Sequence, residues 1–254
     1  MFAIHKECFI LAENTQLAGI AFAQIRETLW ETFENRYSNT NTMDIRKFEI
    51  ELQPLIAEGK FIQAIEKVET ELKNQPESKF QNCVGRDMFH LSEKLNIFLK
   101  SFYELAKNHI EGKPNGIFNS LFKKQEETGK TLKAIACEMN GITINYDLWF
   151  ITLFGFHFCN DLEDTDWLAD YDIYSKQNLV ITKFEDIQNA YKDYIENEKW
   201  EFDVQCDLCE ILLFVRLQQL FQKTYQTAKS KSEDWTKLPV FVNGHDSELI
   251  YLLR

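Results

Sequence analysis

A chain of 254 residues with 44% hydrophobic content, 21 Phe and only 9 Gly and 4 Pro is long enough for a sizeable core and too apolar for disorder to dominate. Forty Asp and Glu against 28 Lys and Arg leave a net charge of −12, a balance that repels phosphate backbones and anionic lipid. No run approaches the roughly 18 apolar residues of a membrane span, and Lys6 and Glu7 interrupt residues 1–11 as a signal peptide, so the cytoplasm is the expected address.

In chain order, Ile10, Leu17, Ile20, Ala21, Ile25, Leu29 and Phe33 recur at three- and four-residue steps and predict one long amphipathic helix or two. The polar stretch 37–42 ends them. Helices are predicted from Asp44 toward Ala57, with Pro54 inside, and from Phe61 to Leu72, with Gly59 breaking the pair apart. A further helix fits 88–110, where Phe89, Leu91, Leu95, Phe98, Leu99, Phe102 and Leu105 share one broad face. The run Glu111-Gly112-Lys113-Pro114-Asn115-Gly116 is the strongest loop signal and divides the chain into a helical region 1–110, a hinge 111–130 and a mixed region 131–254, or lies within one continuous domain. In the second half, alternation over 142–146 after Asn140-Gly141, and the runs 179–184 and 240–242, predict short strands. Residues 148–158 read equally as buried strand or buried helix. Helix is expected over 185–194 and again over 204–225, where Leu208, Ile211, Leu212, Phe214, Val215, Leu217, Leu220 and Phe221 mark a central core helix. The expected class is α+β, dominated by helix, with two or three short strands.

Gly59, Phe61, Ala64, Val68 and Pro76 fall at the spacing that a tetratricopeptide repeat uses for its turn, packing and exit residues, and residues 48–77 resemble such a helix pair. Glu71 stands where that repeat has a small residue, and Glu51-Leu52 replaces its usual Leu-Gly. No second copy follows, so a single helical hairpin is expected rather than an array. The resemblance implies a protein-binding scaffold and no chemistry.

Candidate chemistry is sparse. Gly129-Lys130-Thr131 lacks the first glycine of a phosphate-binding loop, position 124 being Lys124, and reads as a helix start. Cys206 and Cys209 have redox or zinc spacing but no second cysteine pair, and they lie within an apolar helical run, so all six cysteines are expected to be reduced and structural. His157, Cys159, Asp161 and Glu163 alternate and would point to one side of an extended segment, which makes His157, Asp161 and Glu163 weak metal-ligand candidates; no calcium-loop glycine accompanies them. His245-Asp246-Ser247 holds triad residue types in a row, where relay geometry cannot form, and reads as a turn.

The charge is concentrated. Positions 161–210 carry 15 Asp or Glu against four Lys and no Arg, a local balance of −11 that leaves the rest of the chain nearly neutral. Aromatic residues are interleaved with those carboxylates. The combination points to a basic protein partner met by Asp161, Glu163, Asp164, Asp166, Trp167, Asp170, Tyr171 and Asp172, with the rings supplying anchoring area and the charges steering. The expectation is a non-catalytic binding protein without cofactor, in one version an immunity protein or antitoxin that occludes a nuclease. The alternatives are a metal-dependent hydrolase using carboxylates near 161–172, and a tetratricopeptide-like scaffold.

Overall fold

Twenty-eight consecutive residues, Asp203–Ser230, form the helix around which everything else is arranged, about 42 Å long at 1.5 Å per residue. The computed structural model describes residues 43–112, 129–160, 162 and 165–254; the predicted helix or helices between Ile10 and Phe33 lie outside these. The described helices are α1 (Ile45–Ala57), α2 (Phe61–Asn74), α3 (Ser92–Ile110), α4 (Glu185–Glu196) and α5 (Asp203–Ser230), and the strands are β1 (Ala134–Met139), β2 (Phe150–Phe156), β3 (Ile173–Tyr174), β4 (Leu179–Val180), β5 (Val240–Gly244) and β6 (Tyr251–Leu253). The α+β, helix-dominated class is as the sequence predicts. None of the described helices is long and apolar enough to cross a membrane.

Asp44 caps α1 by accepting the Lys47 amide at 3.0 Å, and the turn into α2 passes through Gly59 at φ +67, where a Cβ would also strike the Gln222 side chain. The pair is a helical hairpin. Its second helix lies along α5 with Ala64, Val68 and Leu72 fully buried, and a short ion pair, Arg216 to Glu69 at 2.6 Å with each side chain only 13% exposed, ties the two helices together. Helix α3 packs on α5 as well, and Asp44–Arg254 forms one compact unit. Helices α2 and α3 of the first half both pack against α5 of the second.

Strand order is β3-β2-β1-β5-β6, with β4 pairing the other end of β2; β1 and β5 are parallel and the remaining pairs antiparallel. Ile135, Cys137 and Met139 of β1, with Val240 and Val242 of β5, are buried on the face toward α5. On the opposite face Tyr174, Phe154, Ala136, Phe241 and Leu252 line up in register across five strands. Each large side chain removed completely from water, Trp149, Trp235 and Phe221 among them, contributes roughly 1.5–3 kcal/mol.

Three local expectations are corrected. Residues 131–139 hold no helix start; β1 begins at Ala134. The alternating stretch 142–146 is a turn: Ile144 is exposed, the Asn145 amide bonds Gly141 O, and Asn140 staples the loop by donating to Leu148 O and accepting from the Phe150 amide. The strand foreseen at 179–184 is only two residues long. Cys206 and Cys209 are buried free thiols, as is Cys83.

Candidate functional site

The predicted contact residues divide. Asp161, Glu163 and Asp164 lie outside the described residues. Asp166 opens a 3-10 turn, Asp166–Ala169, and is exposed, as is Asp170. That turn drives Trp167 inward to 5% exposure, with its ring edge-on to Phe156 at 5.0 Å, Phe241 at 5.1 Å and Phe158 at 5.6 Å. Trp167 closes the core over one end of the sheet and offers no ring to a partner; burying its large apolar area outweighs the charge around it in sequence. Tyr171 stays 43% exposed beside Phe154 and Tyr174.

Asp172 turns back to the sheet. It accepts the His157 amide at 2.7 Å and His157 Nδ1 at 2.7 Å, with Lys130 Nζ at 3.7 Å. Burial raises its carboxyl, but the hydrogen bonds from His157 outweigh that and hold it below the usual carboxylate range. Nδ1 of His157 is thereby occupied. Among the described residues no grouping of three or more His, Cys, Asp or Glu is arranged to hold a metal ion.

A second acidic site is not apparent from the sequence. Asp203, Asp207, Glu210 and Phe214 recur at helical spacing along one face of α5. Opposite the last three stand Ile45 and Glu49 on α1 and the turn His245-Asp246-Ser247 after β5, and together these residues line a cleft of about 140 Å³. The turn is fixed by the His245 amide on Met139 O at 2.8 Å, by the Ser247 amide on Gly244 O at 3.1 Å, and by Asp246 in the left-handed region at φ 58. Gly244 sits so close to Phe214 that a Cβ there would fall inside the ring. His245 Nδ1 meets Glu138 Oε1 at 3.0 Å and Nε2 lies 3.5 Å from Asp246. The hydrogen bond to Glu138 raises the imidazole above its ordinary range against the opposing effect of burial.

Glu49, Asp207 and Glu210 make no hydrogen bond or ion pair with any side chain among the described residues. Burial, reinforced by Glu248, pushes Glu49 up to about 7, with Arg46 opposing. Burial, then the charges of Asp203 and Glu49, push Asp207 to about 7. Burial, then Asp207, Glu49 and Asp246, push Glu210 to about 8 against the attraction of His245. Three carboxyl groups thus share a concave, partly dehydrated space with too little positive charge to ionise them all. A cation entering the cleft would ionise them; a neutral or anionic group would not. The i, i+4, i+7 acidic face of α5 was the one sequence signal available, and only the fold brings Glu49 and His245 to it.

No protein-family model matches the chain, and neither a curated protein nor a solved structure matches it.

Proposed function

We propose that this protein is a non-catalytic cytoplasmic binder of a basic protein, which its acidic and aromatic surfaces engage. One concrete form is an immunity protein or antitoxin that occludes the basic cleft of a nuclease. The observation that carries the reading is the convergence of Glu49, Asp207 and Glu210 in one cleft whose lining residues offer only His245 as a group able to carry positive charge. A lysine or arginine side chain from a partner would supply that missing charge, and the exposed Asp166, Asp170 and Tyr171 would add steering and contact area. The hydrolase alternative draws on carboxylates near 161–172, of which Asp161, Glu163 and Asp164 lie outside the described residues and Asp172 accepts hydrogen bonds from His157.

The test compares two triple variants, each lacking three carboxyl groups, against a deca-lysine probe. Glu49→Gln/Asp207→Asn/Glu210→Gln is expected to weaken binding at least about tenfold, or 1.4 kcal/mol. Glu51→Gln/Asp186→Asn/Asp193→Asn, which removes three acids already paired to Lys67, Arg86, and Lys79 with Lys199, is expected to change it little. Equal losses would reduce the effect to net charge and remove the cleft from the reading.

A further inference from the structure

The tyrosine corner at the sheet edge carries information about which basic side chain the partner presents. Tyr174 pairs with Phe154 in the β2–β3 register, and the two strands are locked by the Asp172 amide on Gly155 O at 2.9 Å and the Ser175 amide on Leu153 O at 2.8 Å. Ser175 is itself buried and its Oγ accepts the Leu153 amide at 3.0 Å. Phe154 and Tyr174 stand on paired strands, and Tyr171, just before the Asp172 amide bond, lies 4.9 Å from Phe154 at an interplanar angle of 50° and 5.9 Å from Tyr174 at 77°. Tyr171 and Tyr174 remain 43% and 53% exposed, and neither phenol makes a hydrogen bond among the described residues. Exposed Asp170 precedes Tyr171, and Lys176 is the nearest exposed cation in sequence.

We propose that this corner receives an arginine side chain of the basic partner, in preference to lysine. The proposal rests on the reading of a basic partner given above. Two phenol rings set nearly at right angles offer one face for a planar guanidinium to stack on and one ring beside it, while a carboxylate next in the chain accepts its N–H donors. An ammonium is a compact, strongly hydrated charge with no plane to stack, so it gains less from the same rings. The contacts of Tyr171 with Phe154 and Tyr174 restrict its ring before binding, which lowers the side-chain freedom lost. The charge complementarity is that of the exposed Asp166 and Asp170, which precede the rings in the chain.

The test is fluorescence anisotropy of labelled deca-arginine and deca-lysine with the full chain. Stacking on two rings is expected to favour deca-arginine by about tenfold. Tyr171→Leu/Tyr174→Leu is expected to remove that preference with deca-lysine affinity unchanged, and Tyr171→Phe/Tyr174→Phe to keep it; circular dichroism checks that each variant is folded. If neither peptide binds, the basic-partner reading itself falls. Equal binding of both peptides, or a preference that survives the leucine variant, leaves that reading standing and overturns the arginine assignment. A wild-type dimer in sedimentation that the leucine variant dissolves would make the corner an interface between copies, and would overturn it too.

Discussion

Two sets of carboxylates from one stretch of sequence behave in opposite ways. Asp172, Asp186 and Asp193 each meet partners: Lys130 at 3.7 Å with the hydrogen-bonded His157, Arg86 at 2.5–2.6 Å, and Lys199 with Lys79 at 2.9 and 3.0 Å. All three are held below the ordinary carboxylate range, Asp186 by the hydrogen bonds from Arg86, Asp193 by those from Lys199 and Lys79, and Asp172 by those from His157 despite its burial. Asp207 and Glu210, the last two acids of the same stretch, have no such partner and are pushed up to about 7 and about 8. A count of charges along the chain therefore locates acidity without locating the charge that is left uncompensated. Pairing decides that, and pairing is a property of the fold.

The comparison breaks most visibly if a paired acid is made to resemble an unpaired one. Arg216→Met removes the shorter of the two ion pairs of Glu69 inside the α2–α5 contact, leaving it Lys73 at 3.7 Å and the Gly85 amide, and should cost about 2–3 kcal/mol, since a charge-assisted hydrogen bond is lost in a place with little water. Urea unfolding at pH 7 measures it, and a second substitution, Glu69→Gln, should recover much of the loss.

A smaller effect of opposite sign is expected in the cleft. Glu49, Asp207 and Glu210 have folded values above those of the unfolded chain, so the folded state holds more protons between them. Their contribution is fully present below about pH 4 and is lost as pH rises through about 7 to 8. Stability should accordingly fall across that interval, and Glu210→Gln should stabilise by about 1–2 kcal/mol at pH 8 with the gain vanishing near pH 4. Thermal unfolding of both proteins at pH 4, 6 and 8 reads the trend; a gain independent of pH would mean that titration of Glu210 is not its source.

The smallest change belongs to the exposed pairs. Asp186→Asn breaks its contact with Arg86 at a half-exposed position and should cost less than about 1 kcal/mol, screened further by salt. Here the sign reverses. The folded value of Asp186 is depressed, so the pair's contribution is present above the ordinary carboxylate range and is lost as pH falls below it.

Helix α5 was legible because its apolar residues run along most of its circumference, and α2 because Phe61, Ala64, Ile65, Val68 and Leu72 repeat on one stripe. Strand β1 was not. It is buried on both faces, with Ile135 and Cys137 toward α5 and small Ala134 and Ala136 beneath Phe156, Trp167 and Phe241, so its sequence shows neither alternation nor many β-branched residues. The alternation at 142–146 misled for the converse reason: one isoleucine enters the core and the other faces water within a turn. Of the acidic surface, Asp170 and Tyr171 are exposed as the composition implied, but the inward rotation of Trp167 depends on Phe156 and Phe241, which lie on other strands. The cleft draws on α1, α5 and the turn after β5, and no local pattern joins those three.

The central claim is that the cleft holds protonated carboxyl groups that await a cation. Calorimetric titration of the full chain with deca-lysine at pH 7, in two buffers of different ionisation enthalpy, tests it directly. A cation seated beside Glu49, Asp207 and Glu210 lowers values that lie near 7 to 8 in the free protein, so binding should release on the order of one proton, and the observed heat should differ between buffers accordingly. The difference should disappear in the Glu49→Gln/Asp207→Asn/Glu210→Gln variant. Salt-sensitive binding with the same heat in both buffers would contradict the claim and place the partner's charge elsewhere on the surface.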